Sequence, residues 1–96
     1  MDDAAFNAER RQLLRVFAAK VRELRKHAEL SQEEFAEHAN LHRTSVGYFE
    51  QARREPNLST LLILADALHV SLDTLVQGVP VPQQRRPARQ SKRSSA

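Results

Sequence analysis

The sequence contains no cysteine, which excludes disulfides and thiolate zinc sites and makes the reducing cytoplasm its natural setting. No apolar run approaches the roughly 20 residues that a membrane span needs. The opening Met1-Asp2-Asp3 is acidic, the reverse of the positively charged start of a secretory leader. There is no cysteine nucleophile, no glycine-rich phosphate loop and no pair of inward-facing carboxylates at helical spacing, so nothing supports an enzyme. No period-2 strand pattern and no internal repeat is present. At 96 residues the chain is one domain with at most a tail. That leaves no room for a second, ligand-sensing domain, and no cofactor or small-molecule ligand is expected.

Charge is unevenly placed. Residues 1–80 hold ten Lys or Arg against twelve Asp or Glu, a net −2. Residues 81–96 hold Arg85, Arg86, Arg89, Lys92 and Arg93 with no acid, a net +5. If the body binds a polyanion, it must do so through a locally basic face.

Periodicity and punctuation predict five helices. The first covers roughly Asn7 to Ala28, with Leu13, Leu14, Phe17, Val21, Leu24 and Ala28 forming one apolar stripe. Asp2, Asp3 or Asn7 can cap it. Ser31-Gln32-Glu33-Glu34 has the form of a capping box and opens a short second helix ending near Ala39, with Phe35, Ala36 and Ala39 inward. Asn40-Leu41-His42 follows, and asparagine tolerates the left-handed backbone of a tight turn. A third helix, Arg43 to Gln51, has only Val46 and Phe49 to offer a core. Pro56 breaks the polar loop 52–57. A fourth helix, Leu58 to Leu68, carries Leu61, Leu62, Leu64, Ala65 and Leu68, and Ser71 opens a fifth with Leu75 and Val76. From Gly78 onward the composition is that of a disordered segment. The expected organisation is 1–19 as the start of a long first helix, 20–78 as the folded domain and 79–96 as a disordered basic tail.

Two short helices joined by a three-residue turn, at 31–51, have the geometry of a helix-turn-helix that reads double-stranded DNA. The second of them, 43–51, faces outward with donors and small groups. Arg43 can give two hydrogen bonds to a guanine edge, and Thr44 and Ser45 can bond a base or a phosphate. Gly47 removes a side chain mid-helix at about 1 kcal/mol relative to alanine, a cost that close approach to another surface can offset. Gln32, in the first turn of its helix, sits where free amides favour an anion. Arg53 and Arg54 add charge after the recognition helix. Taken singly, a capping box, a polar helix face and an Arg-Arg pair are ordinary surface features; their order and tight spacing are what point to DNA.

Residues 20–76 resemble the Cro/repressor (XRE-type) helix-turn-helix family. The likeness is carried by Val21-Arg22-Glu23-Leu24-Arg25, Leu30-Ser31-Gln32-Glu33-Glu34-Phe35-Ala36, Arg43-Thr44-Ser45-Val46, Phe49-Glu50, Arg54-Glu55-Pro56-Asn57-Leu58, Leu61 through Leu68, and Val70-Ser71-Leu72-Asp73. It implies an all-α, five-helix, lambda-repressor-like domain of a bacterial or phage transcription regulator. It further implies base contacts from Arg43, Thr44, Ser45 and Tyr48, and phosphate contacts from Ser31, Gln32, Gln51 and Arg53, with Gln32 also bracing the recognition helix. It also implies a partly buried ion pair between Arg25 and Glu50. That pair has independent support, because both residues lie beside apolar positions where an unpaired charge is costly.

The stretches 40–44 and 54–58 are similar to the small controller proteins of restriction–modification systems, in which case Arg54 also reaches a base. Three positions depart from the family pattern. His42 weakens the cap of the recognition helix. Tyr48 replaces a polar residue and either stacks or is plain surface. Ala52 stands where glycine is usual, which removes the easy left-handed helix end.

A homodimer is expected, with Leu72, Leu75 and Val76 at the interface, helped by the fourth helix or Phe6, and a palindromic operator follows from its symmetry. The alternative is a protein-interaction adaptor of antitoxin type that docks through the long first helix or the tail; a weaker one is sequence-independent binding by the tail. His38 and His42 are four apart, but the turn at Asn40 separates them and no third ligand is evident, so no metal site is expected.

Overall fold

A computed structural model describes residues 3–82, with side chains from Asn7 onward. The chain forms five helices: α1 (Asp3–His27), α2 (Gln32–Ala39), α3 (Arg43–Glu50), α4 (Leu58–Ala67) and α5 (Leu72–Leu75). Among the described residues there is no strand. Helix α1 packs on α3 and α5, α2 packs on α3 and α4, and α4 packs on α5. The result is the all-α, five-helix arrangement that the sequence leads one to expect.

Each junction follows from local chemistry. At α2 the capping box forms in full: the Glu34 amide donates to Ser31 Oγ at 3.0 Å and the Ser31 amide to Glu34 Oε1 at 2.8 Å. Asn57 caps α4 by accepting from the Thr60 amide at 2.9 Å, and Ser71 caps α5 by accepting from the Thr74 amide at 3.1 Å. His42 at the head of α3 makes no side-chain cap bond.

The ends of α1 to α4 share one device. Glu29, Asn40, Ala52 and His69 all take left-handed φ between 56° and 61°. Around each, two backbone bonds close the helix, as in Leu30 N–H to Arg25 O and Glu29 N–H to Lys26 O. This is the Schellman closure, usually built on glycine. Three of the four residues that follow, Leu30, Leu41 and Val70, turn inward and pack against the core. The energy of that contact offsets the strain of a non-glycine left-handed residue. The expectation that Ala52 forgoes this ending is therefore overturned: Ala52 adopts φ 59° and the Arg53 amide reaches Tyr48 O at 2.9 Å.

Phe17, Val21, Phe35, Val46, Phe49, Leu64 and Leu75 form the centre of the core, with Ala18, Ala36, Ala39, Ala65 and Ala67 where helices approach closely. Several expected boundaries shift. Helix α1 begins at Asp3, so Asn7 lies inside it and is no cap; Ala4, Ala5 and Ala8 carry the helix through that weak residue. Ala28 is exposed and Ala18 is buried in its place, because the helix closes before Ala28 can continue the stripe. Helix α3 ends at Glu50 and α4 at Ala67, each one residue earlier than expected. Of the apolar residues of α4, Leu62 is half exposed. Val79, placed in the tail by composition, packs against the core. The remainder of the expected disordered tail, 83–96, lies outside the described residues, as does the side chain of Phe6.

Candidate nucleic-acid interface

The short helix α3 has three buried residues: Val46, Phe49 and Glu50. Val46 and Phe49 dock it on the core. Glu50 is the buried charged residue among the described ones, at 2% exposure, and it is fully partnered. Arg25 donates from Nε to Glu50 Oε2 at 2.6 Å and from Nη2 to Oε1 at 3.1 Å, while its Nη1 donates to Leu30 O at 2.8 Å. Gln32 Nε2 donates to Glu50 Oε1 at 2.9 Å. Arg22 donates to the backbone carbonyl of Glu50, which otherwise ends α3 without a partner. One carboxylate thus joins α1, α2 and α3. A fork-shaped guanidinium facing a carboxylate fixes direction as well as distance, so the network sets the orientation of α3.

The opposite side of α3 is open. Arg43 and Thr44 are exposed, and Ser45, Gly47 and Tyr48 are partly so. Arg43 leans toward Glu33 at 3.8 Å, but both side chains are more than half exposed, so the pair is weak and easily exchanged for another partner. A Cβ added at Gly47 would meet only Gln51 Nε2, at an ordinary 3.7 Å. No part of the protein's own surface therefore requires glycine there.

Tyr48 is neither bare nor plain surface. The Arg54 guanidinium lies 4.7 Å from its ring centre and that of Arg53 5.5 Å away. This cation–π contact holds both arginines beside the end of α3. The Ser31 hydroxyl accepts the Glu34 amide yet keeps its own hydrogen to donate. Gln32 is committed to Glu50 through one amide hydrogen, leaving the other. Gln51 and Arg53 are exposed.

The expected interface residues divide. Leu72 and Val76 are half-buried, but Leu75 is wholly buried in the core and cannot meet a partner. Helix α5 packs on α1 and α4, and of its apolar residues Leu75 lies within the core cluster while Leu72 packs at its margin. Within the described helices, large apolar side chains are left open on α4, where Leu58, Leu62 and Ile63 are 64%, 50% and 40% exposed.

Sequence reasoning missed the Arg22 bond, the arginine–tyrosine stack and an ion pair between Arg10 and Glu55 at 2.6 Å. Arg22 was legible, since it lies one helical turn before Arg25. The other two depend on where the 52–57 loop runs, and its course has no periodic signal. Among the described residues no three His, Asp or Glu side chains converge as a metal site, and no helix is long and apolar enough to cross a membrane.

A helix-turn-helix family model matches residues 21–75, from the second half of α1 through α5. The chain belongs to the XRE-type helix-turn-helix family of transcription regulators. It is 46% identical over 61 residues to the control protein C.SmaI of Serratia marcescens, covering 64% of this chain and 73% of that protein. The structure resembles the restriction–modification controller protein C.AhdI of Aeromonas hydrophila, with a TM-score of 0.63 and 39% identity over 65% of this chain and 94% of that one. It also resembles the hypothetical transcription factor NHTF from Neisseria, with a TM-score of 0.65 and 33% identity over 76% and 79% of the two chains.

Proposed function

We propose that this regulator binds a palindromic operator as a homodimer, with α3 of each protomer in the major groove, and that it serves as the controller of a restriction–modification system. One observation carries the reading. The eight residues of α3 are fixed from behind by Val46, Phe49 and the Glu50 network, while the Arg43, Thr44, Ser45 and Tyr48 side is left open. A rigid helix with an unoccupied polar side is what direct readout of base edges requires.

In this reading Arg43 takes a guanine edge, and Thr44 and Ser45 make shorter contacts in the same turn. Tyr48 aligns Arg54 for a base or its adjoining phosphate. Ser31, Gln51 and Arg53 hold phosphates, and Gln32 adds its remaining amide hydrogen while bracing α3. The protomers meet through Leu58, Leu62 and Ile63 of α4, with Leu72 and Val76 at the margin. The likeness to C.SmaI and C.AhdI supports the controller role.

Selection of bound sequences from random duplexes tests the reading. A palindrome with half-sites about 34 Å apart is expected. Arg43→Ala should relax discrimination at one base pair per half-site, by about 1–3 kcal/mol. Recovery of no enriched sequence overturns it.

A further inference from the structure

Helix α1 starts well before the family match begins, and residues 3–20 lie outside it. This extension does not stand free. Arg10 bonds Glu55, and together the extension and the loop after α3 enclose an open cleft of about 570 Å³. Arg10 and Arg11 line one side, Arg53 and Arg54 the other, and Leu14 and Ala52 contribute apolar lining. Four arginines and a single carboxylate, Glu55, line this cleft, in a body whose residues 1–80 are net negative. This is the locally basic face that a polyanion needs.

We infer that this cleft holds a backbone phosphate of the duplex flanking the bases read by α3, so that the extension of α1 widens the DNA contact beyond the family core. The inference rests on the DNA-binding reading above and adds a site to it. Scale places the duplex there. Eight residues of α3 span about 12 Å, close to the width of the major groove. When the first turn of α3 meets base edges, its last turn and the loop that follows lie at the groove's rim, where phosphates run. Arg53 and Arg54 are already steadied there by Tyr48. Guanidinium forks match phosphate oxygens in pairs. Glu55 keeps Arg10 in place in the free protein and is the repulsive charge that a phosphate must displace.

The full chain and its Arg10→Gln/Arg11→Gln and Glu55→Gln variants are compared for duplex affinity across a salt series, with thermal unfolding of each to confirm folding. The duplexes are the selected operator with long flanks, the same operator trimmed to its half-sites, and an arbitrary sequence. The double variant should lower the salt slope by about 0.9 for each phosphate it no longer neutralises, so that at two such phosphates per dimer the affinity lost between about 50 and 200 mM salt shrinks about tenfold, and it should bind the flanked operator more weakly than the parent at low salt. The selected sequence should be unchanged, and the difference from the parent should vanish on the trimmed duplex. Glu55→Gln should bind the flanked duplex more tightly.

A retained operator with identical slopes for parent and double variant overturns the cleft and leaves the DNA reading intact. Failure to select any sequence overturns that reading, while slopes on the arbitrary duplex still decide the cleft. Inorganic pyrophosphate provides the last arm. If it stabilises the parent but not the double variant, and the DNA slopes agree, the cleft takes a free anion and the assignment to DNA is overturned.

Discussion

Replacing Glu50 with alanine should cost this domain a large part of its stability. The carboxylate is 2% exposed and accepts from Arg25 twice and from Gln32 once. Its removal leaves the Arg25 guanidinium, 13% exposed, with only Leu30 O as a partner. Breaking one member of a buried pair costs about 3–5 kcal/mol. The residual exposure and the retained Leu30 bond put this case at the lower end, about 3 kcal/mol. A domain of this size is stable by roughly 4–12 kcal/mol at the usual per-residue range, so the variant should lose a large share of that stability. The assay is urea unfolding followed by circular dichroism on Glu50→Ala, Arg25→Ala and the double variant. The coupling energy from that cycle should exceed about 1 kcal/mol and resist added salt. The Arg10–Glu55 pair, with side chains 50% and 45% exposed, is the internal control and should yield at most about 1 kcal/mol. Equal coupling energies for the two pairs would refute the argument that burial makes the Glu50 network structural.

Ala52→Gly should raise stability by about 0.5–1 kcal/mol, because φ 59° strains alanine and not glycine; a thermal midpoint that falls would count against it. Ser31→Ala removes the capping box that opens α2 and should lower stability by about 1 kcal/mol in urea unfolding. Gly47→Ala should stabilise the free protein by about 1 kcal/mol from helix propensity, since its Cβ meets nothing closer than 3.7 Å, yet weaken operator binding if the helix backbone approaches the groove. The proposed dimer contact through α4 predicts that Leu62→Glu sediments as a monomer where the parent sediments as a dimer, without lowering the melting point of the protomer, because the side chain is half exposed there.

Much of the helical framework is legible in the chain because its signals are local. The capping box at Ser31 and the helix start at Ser71 each involve residues three apart, and the break at Asn40 lies in the residue itself, whereas the cap at Asn57 was not read from the polar loop that holds it. What was not legible is set by position in space. Leu72, Leu75 and Val76 look alike as apolar residues of a short terminal helix, and only packing separates the buried Leu75 from its half-buried neighbours. Which leucines of α4 are covered and which are open could not be told apart, because a helix so rich in apolar residues gives little hint of which side is covered. Ala52 misled for another reason. Glycine is the usual left-handed residue, but the favourable closure of the chain at Arg53 can impose that backbone on alanine.

A polar network rather than a larger core positions α3, and the cause lies in what the helix must present. A helix that offers a polar side to a groove can bury little, and α3 contributes Val46 and Phe49 alone to the apolar core. Two apolar contacts three residues apart anchor a helix but leave it free to roll about the line joining them. Glu50 adds a third anchor off that line. Its bonds to Arg25 and Gln32 are directional, and Arg22 holds the carbonyl at the helix end. A hydrophobic residue at position 50 would preserve burial without this directional restraint. Replacing the buried pair together, Arg25→Met with Glu50→Leu, should accordingly keep stability within about 1 kcal/mol of the parent or raise it. Operator affinity should fall all the same, because α3 would dock in more than one orientation. A double variant that binds the operator as tightly as the parent would show that Val46 and Phe49 suffice to aim the helix.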